Sequence, residues 1–181
     1  MKLVQPIRDL NKILQMKNEL LKAGTRNYFL FVIGINTGLR ISDILNLKVR
    51  NIKNNMHINI TEEKTDKPRK IKINVTLKGE INNYIKTMDD EDYLFRSQKG
   101  FNKPISRVQA YRILNNAASK IGIEEIGTHT LRKTFGYHFY QKNKDVAMLQ
   151  EIFNHSSPSI TLRYIGINQD IMDRAIDDFS L

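Results

Sequence analysis

THTLR at Thr128–Arg132, FNHSS at Phe153–Ser157 and TLRY at Thr161–Tyr164 form the stretch on which the fold is decided. Thr128 is a helix N-cap type, so the pattern predicts a helix from His129 onward. His129 and Arg132, three residues apart, share one face of that helix. That face lies at the helix end where an anion is favoured. Asn154 to Ser159 breaks the pattern, and Pro158 suits the opening of a short new helix. Arg163 and Tyr164 close that second helix. A hydroxyl, an arginine fork and two imidazoles suit attack by a tyrosine on a phosphodiester. Taken singly, each feature has a plainer reading: His-x-x-Arg is common on solvated helices, and a late tyrosine is usually a packing residue.

Composition narrows the partners. The chain has 181 residues, with 29 Lys and Arg against 19 Asp and Glu, a formal net charge of +10 and a pI near 9.7. This balance favours a polyanion, nucleic acid before membrane. There are no cysteines, which excludes disulfides, thiolate metal sites and a thiol nucleophile. Met1–Leu10 lacks the apolar core of a signal peptide, and the most apolar run, Tyr28–Ile35, is too short to span a bilayer. A cytoplasmic protein is expected.

From the N-terminus, helices are expected over Ile7–Lys22 and Arg26–Asn36, the second apolar nearly all round and hence buried. It stops at Thr37-Gly38, and a short helix restarts at Arg40-Ile41-Ser42-Asp43. Met56–Ile60 and Lys70–Asn74 alternate as two strands, joined by a loop too polar to pack that carries Lys64, Lys67 and Arg69. Thr76–Lys86 reads as a helix. Tyr93–Phe95 is a short apolar anchor or strand. Ser106 opens a helix to Lys120, with Val108, Tyr111, Ile113, Leu114 and Ala117 towards a core. Helices follow over Thr128–Gln141, Asp145–Phe153, from Pro158, and over Ile171–Phe179. The expected fold is mainly α with one small antiparallel β-sheet.

Arg40 after Thr37-Gly38-Leu39, Lys64 in a hairpin, His129-x-x-Arg132, His155 before two serines and Tyr164 nine residues later together resemble the catalytic domain of the tyrosine recombinases, the phage-integrase family. The resemblance covers Ile7 to about Phe179, and its specificity lies in six weak signals in one register. It implies a DNA recombination or integration enzyme of the kind mobile elements use, working through a 3′-phosphotyrosine without metal or nucleotide cofactor. The resemblance assigns Arg40 and Arg132 as a phosphate clamp, Tyr164 as nucleophile and Lys64 as acid for the 5′-oxygen. His129 takes an acid–base or phosphate-bonding role, and His155 bonds phosphate and packs beside the tyrosine. Asp43 braces the first arginine. Lys67, Arg69, Lys72, Lys103, Arg107 and Arg112 are candidate DNA contacts.

The chain departs from the family in two places. The usual Leu-Gly-His turn is Phe153-Asn154-His155 here; asparagine tolerates left-handed backbone, so the turn can persist. Met1 also begins almost at the catalytic domain, so residues 1–181 are expected to be one catalytic domain without the family's amino-terminal DNA-clamping domain. The expected partners are double-stranded DNA and other protomers, as a tetramer on DNA, with the C-terminal helix within 169–181 docking in trans or on its own core. A metal nuclease built on His129, His138 and His155 fits less well, since His129 and His138 are half a turn out of phase. The alternative within the family is a non-catalytic or truncated DNA-binding relative acting as an accessory module.

Overall fold

The computed structural model describes residues 4–64, 66–124 and 126–167, with 176, 177 and 179. The chain runs α1 (Leu10–Lys22), α2 (Thr25–Thr37), α3 (Ile41–Leu45), a 3-10 turn (Val49–Asn51), β1 (His57–Thr61), β2 (Pro68–Lys72), α4 (Val75–Tyr84), α5 (Arg107–Lys120), α6 (Thr130–Asn143), α7 (Val146–Phe153) and α8 (Pro158–Ile165). It is mainly α with one two-stranded antiparallel sheet. Among the described residues no helix is long and apolar enough to cross a membrane.

Side-chain caps set most helix starts. Asp9, Asn74, Ser106, Asp145 and Ser157 each accept from a backbone N–H in the first turn of α1, α4, α5, α7 and α8, meeting donors the helix leaves open. Asp9 explains why α1 begins at Leu10 rather than Ile7. The strands lie one to two residues nearer the hairpin loop than the alternation predicts. Asn74 leaves the ladder to cap α4, while Ile73 N still donates to Met56 O at 3.0 Å. Tyr93 and Arg96 make only isolated bridges, to Lys48 and Pro104, around buried Leu94 and Phe95.

α2 is the central helix. Phe29 to Ile33 are all buried, and α2 packs against α1, α3, α4 and α6. α5 buries Leu114 and Ala117 as predicted, with Ile113 packed at the core's edge, but Ala110 and Ala118 complete the inward face while Val108 and Tyr111 are exposed. The small alanines at helical spacing let α5 approach α1 closely, and the bulkier side chains are left outside.

The buried residues form two clusters. The larger runs from Ile7 to Leu131 and takes in α1 to α5. The smaller consists of Leu149, Phe153, Ile165 and Ile167, ringed by Phe135, Tyr137, Phe139, Tyr140, Leu162 and Tyr164. α6 lies between them. A Cβ at Gly34 would sit 2.6 Å from Leu131 Cδ1, and one at Gly136 would sit 2.7 Å from both Phe153 and Ile165. Glycine is therefore required on α2 and on α6 where the helices close up.

Candidate active site

Arg40 stands at the junction between α2 and α3. Gly38 ends α2 in the left-handed region (φ 63°), and Arg40 is extended (φ −69°, ψ 149°) as the N-cap of α3. Its side chain therefore leaves the helix axis towards the hairpin. Arg40 Nη1 lies 2.6 Å from Glu62 Oε2. This contact is ionic and is not an aligned hydrogen bond.

Asp43 braces a different group from the one predicted. It is buried, and its Oδ1 accepts from Glu63 N at 3.0 Å, so it holds the hairpin backbone. Its Oδ2 has no partner among the described residues, and burial above all raises its pKa. Arg40 sits at the extended cap while Asp43 is inside the helix, so the pair does not meet as an i,i+3 pair would.

Arg132, one turn into α6, is only 3% exposed. Nη1 donates to Gly38 O at 2.6 Å and Nη2 to Phe153 O at 2.8 Å, and the guanidinium carbon lies 4.2 Å from the Phe153 ring centre. Burial lowers its pKa to about 10, which leaves it charged at neutral pH. The arginine thus joins the end of α2 in the large cluster to the end of α7 in the small one.

Tyr164, half-buried on α8, meets α6 across this joint. His129 Nδ1 is 3.3 Å from the Tyr164 hydroxyl. The predicted Thr128 cap is not formed: His129 itself is the N-cap of α6, and Thr130 Oγ1 accepts from Gly127 N instead. Burial, then Lys133, Arg132, Lys64 and Arg40, lower the His129 pKa and keep the ring neutral. Burial raises the Tyr164 pKa, while Arg132 and Arg40 pull it the other way.

His155 packs edge-on against Tyr164, ring centres 5.1 Å apart, with Nδ1 3.1 Å from Thr161 Oγ1. Burial, Arg132 and Arg40 take its pKa down to about 4. Asn154 adopts φ 52°, ψ 46° at the end of α7, the left-handed turn its side chain tolerates.

Lys64 stands exposed in the hairpin turn. With Arg40, His129 and Arg132 it lines a cleft of about 480 Å³. Tyr164 reaches that group through His129, and His155 lies behind the tyrosine.

Of the predicted DNA contacts, Lys67, Lys72, Lys103, Arg107 and Arg112 are exposed, Arg107 with an ion pair to Glu63 at 3.2 Å. Arg69 differs. Its side chain is 11% exposed and Nη1 donates to Glu62 Oε1 at 2.8 Å, so its guanidinium is engaged inside the fold. Arg69 pairs with Ile60 in the ladder, and facing residues share a side of the sheet. His138 is not near this group in function: its Nε2 donates to Ile7 O at 3.0 Å.

Three groups at the site were absent from the sequence prediction. Glu62 is fully buried between the two arginines, although Ile58-x-Ile60-x-Glu62 carries the period-two signal of an inward position. Lys133 Nζ lies 5.1 Å from the Tyr164 ring centre while donating to Val4 O at 2.8 Å. Phe153 supplies a carbonyl and a ring to Arg132; nothing local in the sequence marks it.

The sequence model of the phage integrase family matches residues 7–170. The chain belongs to the phage integrase family. It is 61% identical over 170 residues to a protein named probable integrase/recombinase YoeC of Bacillus subtilis, covering 94% of this chain and 93% of that one. It is 31% identical over 159 residues to tyrosine recombinase XerA of Pyrococcus furiosus, covering 86% of this chain and 55% of that protein. The chain thus spans nearly all of the first relative and about half of the second. Among solved structures it superposes on XerA recombinase with a TM-score of 0.75 at 22% identity, covering 94% of this chain and 64% of the other. It superposes on the XerH site-specific recombinase, in a post-cleavage complex with a palindromic difH substrate, with a TM-score of 0.73 at 22% identity, covering 98% and 54%. At that identity the likeness establishes the shared fold.

Proposed function

We propose that this chain is a site-specific recombinase or integrase that cleaves and rejoins double-stranded DNA through a 3′-phosphotyrosine formed on Tyr164. One observation carries the reading: the Tyr164 hydroxyl meets His129 beside Arg132, at a cleft that Arg40 and Lys64 also line. The scissile phosphate lies between Arg40 and Arg132. A guanidinium has five N–H donors; Arg132 uses two on Gly38 O and Phe153 O, leaving others for the non-bridging oxygens. Such charge-assisted bonds strengthen as negative charge builds in the transition state.

Tyr164 oxygen attacks phosphorus, and its proton passes to the neutral His129 Nδ1. The bond from phosphorus to the 5′-oxygen breaks, and Lys64 gives that oxygen a proton. The 3′-phosphate remains on Tyr164, which conserves the bond for rejoining. A 5′-hydroxyl then attacks the phosphotyrosine and gives its proton back to Lys64, while the bond from phosphorus to the Tyr164 oxygen breaks and His129 returns the proton to that oxygen. His155, neutral at pH 7, holds the tyrosine ring and bonds the phosphate. Asp43 supports the site by holding the hairpin at Glu63 N.

Lys67, Lys72, Lys103, Arg107 and Arg112 contact backbone phosphates and fix the register. Residues 1–181 act as one catalytic unit in the cytoplasm, with further protomers on the same DNA as a tetramer. Ile171–Phe179, which apart from Ile176, Asp177 and Phe179 lies outside the described residues, docks on a neighbouring protomer. Ile176 and Phe179 are 69% and 66% exposed.

The test is a pool of nicked duplexes with a randomised core, in which cleavage releases a short fragment and strands the protein on DNA. The wild-type chain is expected to give an SDS-resistant adduct and Tyr164→Phe none. Salt-dependent binding with no adduct from either protein would leave the chain as an accessory DNA-binding module.

A further inference from the structure

Glu62, behind Arg40, has a side chain with 0% exposure. An isolated buried carboxylate would be strongly disfavoured, and here two guanidiniums compensate it. Oε2 lies 2.6 Å from Arg40 Nη1, and Oε1 accepts from Arg69 Nη1 at 2.8 Å. Its backbone closes the hairpin loop: Glu62 N donates to Lys67 O and Asp66 N donates to Glu62 O, both at 2.9 Å. Lys64 is two residues further on, inside that loop. One residue therefore touches the clamp arginine with its side chain and holds the lysine's loop with its backbone. Asp43 helps hold the same loop, its Oδ1 accepting from Glu63 N, and Glu62 adds the ion pair to Arg40.

We propose that Glu62 is a positioning residue whose buried carboxylate registers Arg40, the proposed phosphate clamp, against the hairpin that carries Lys64. The proposal rests on the reading above that Arg40 and Lys64 act on a phosphodiester. Without the carboxylate, Arg40 and Arg69 repel each other at short range, and Arg40 loses the contact that aims its fork. The Arg40 contact is ionic and unaligned, so the arginine keeps N–H groups for phosphate while Glu62 fixes where its head group sits.

The experiment compares wild type, Glu62→Gln and the double variant Glu62→Gln with Arg69→Gln on the nicked pool. Adduct formation, DNA affinity at one fixed salt concentration and melting temperature are measured for each. Glu62→Gln is expected to slow adduct formation about a hundredfold, the scale of an ångström's misplacement. Its DNA affinity should hold or tighten, since the cleft has gained positive charge. A residue that only maintained the fold would lose both together. If Glu62→Gln does not fold, the double variant decides, because its charge balance is restored: melting temperature should recover and adduct formation should stay slow. Recovery of adduct formation with stability would make Glu62 a charge compensator only and overturn the proposal. So would a wild-type rate in Glu62→Gln, or a faster one, which would mean that Glu62 competes with phosphate for Arg40. Absence of an adduct from wild type would instead remove the functional reading itself, and this proposal with it.

Discussion

The larger hydrophobic cluster, built around α2, carries Arg40 and the hairpin with Lys64, and it joins α1 to α5 with the start of α6 in one packed body. The smaller, around Phe153 and Ile165, carries Tyr164 on α8 and His155 in the turn between α7 and α8. Arg40 and Lys64, in the proposed phosphate-binding and acid roles, thus belong to one cluster and Tyr164, the proposed nucleophile, to the other, with Arg132 bridging them. Their alignment runs through α6, which packs on α2 on one side and on α7 and α8 on the other; the contacts across it include the Arg132 bonds to Gly38 O and Phe153 O, the close approach at Gly136, and Arg8 Nη2 donating to Gly166 O at 3.0 Å just beyond the tyrosine helix. The difference predicts that the proposed reaction is more sensitive to the α6 seam between the clusters than to the filling of either one. Damage at the seam should reduce chemistry out of proportion to stability, and damage inside the large core should do the reverse.

Arg132→Lys makes the largest break in that seam. Lysine keeps the charge but has no fork to span two carbonyls. Loss of one buried bond from a charged donor is expected to cost about 2 kcal/mol in urea denaturation, and adduct formation should fall about 10²–10³-fold. Unchanged stability would mean that the two clusters do not depend on this bridge.

Gly136→Ala places a methyl group against Phe153 and Ile165 and is expected to cost about 1–3 kcal/mol. Its adduct formation should drop while DNA affinity holds, because the shift falls on the tyrosine's side. Leu77→Ala, deep in the large cluster, is the counterpart. It is expected to cost about 2–5 kcal/mol, yet leave the rate per folded molecule near wild type well below its melting temperature. Equal loss of rate in both variants would erase the distinction between the clusters.

Acid sharpens the comparison further. The folded-state pKa of His155 is near 4, below its ordinary 6.5, so between these values the unfolded chain binds the extra proton. Its contribution to stability is full above pH 6.5 and is lost as pH falls towards 4. The small cluster should therefore loosen first on acidification, and His155→Gln should flatten the fall in melting temperature over that window. An identical pH profile in the variant would show that the histidine is not held neutral.

The smallest effects belong to the exposed cations of the large body. Lys67→Ala, Lys72→Ala, Lys103→Ala and Arg112→Ala should each lower the slope of log affinity against log salt by about 1 where the residue meets a phosphate. Arg69→Ala should instead lower stability and leave the slope unchanged.

Much of this organisation is legible in the sequence because it is local. The Ser106 cap, the buried α2 and the order of Arg40, Lys64, His129, Arg132, His155 and Tyr164 can be read along the chain, whereas the Thr128 cap is not formed and Asp9, Asn74, Asp145 and Ser157 cap helices unannounced. What was not legible depends on which faces meet. The inward face of α5 is set by alanines that pack on α1, against the pull of the bulkier Val108 and Tyr111. Arg69 looked like a free cation until the strand register put it beside Ile60. Glu62 looked like part of a solvated loop, because charge in sequence suggests water and only the pairing of two arginines makes its burial tolerable. The Arg132 bridge uses two backbone carbonyls, which no residue identity records.

The account stands most directly on the residue that holds the DNA. The adduct from the nicked pool can be digested with trypsin and the nucleotide-bearing peptide identified by mass spectrometry. The nucleotide is predicted on Tyr164, at the start of the tryptic peptide that follows Arg163. A nucleotide on any other residue, or an adduct of equal yield from Tyr164→Phe, would contradict it.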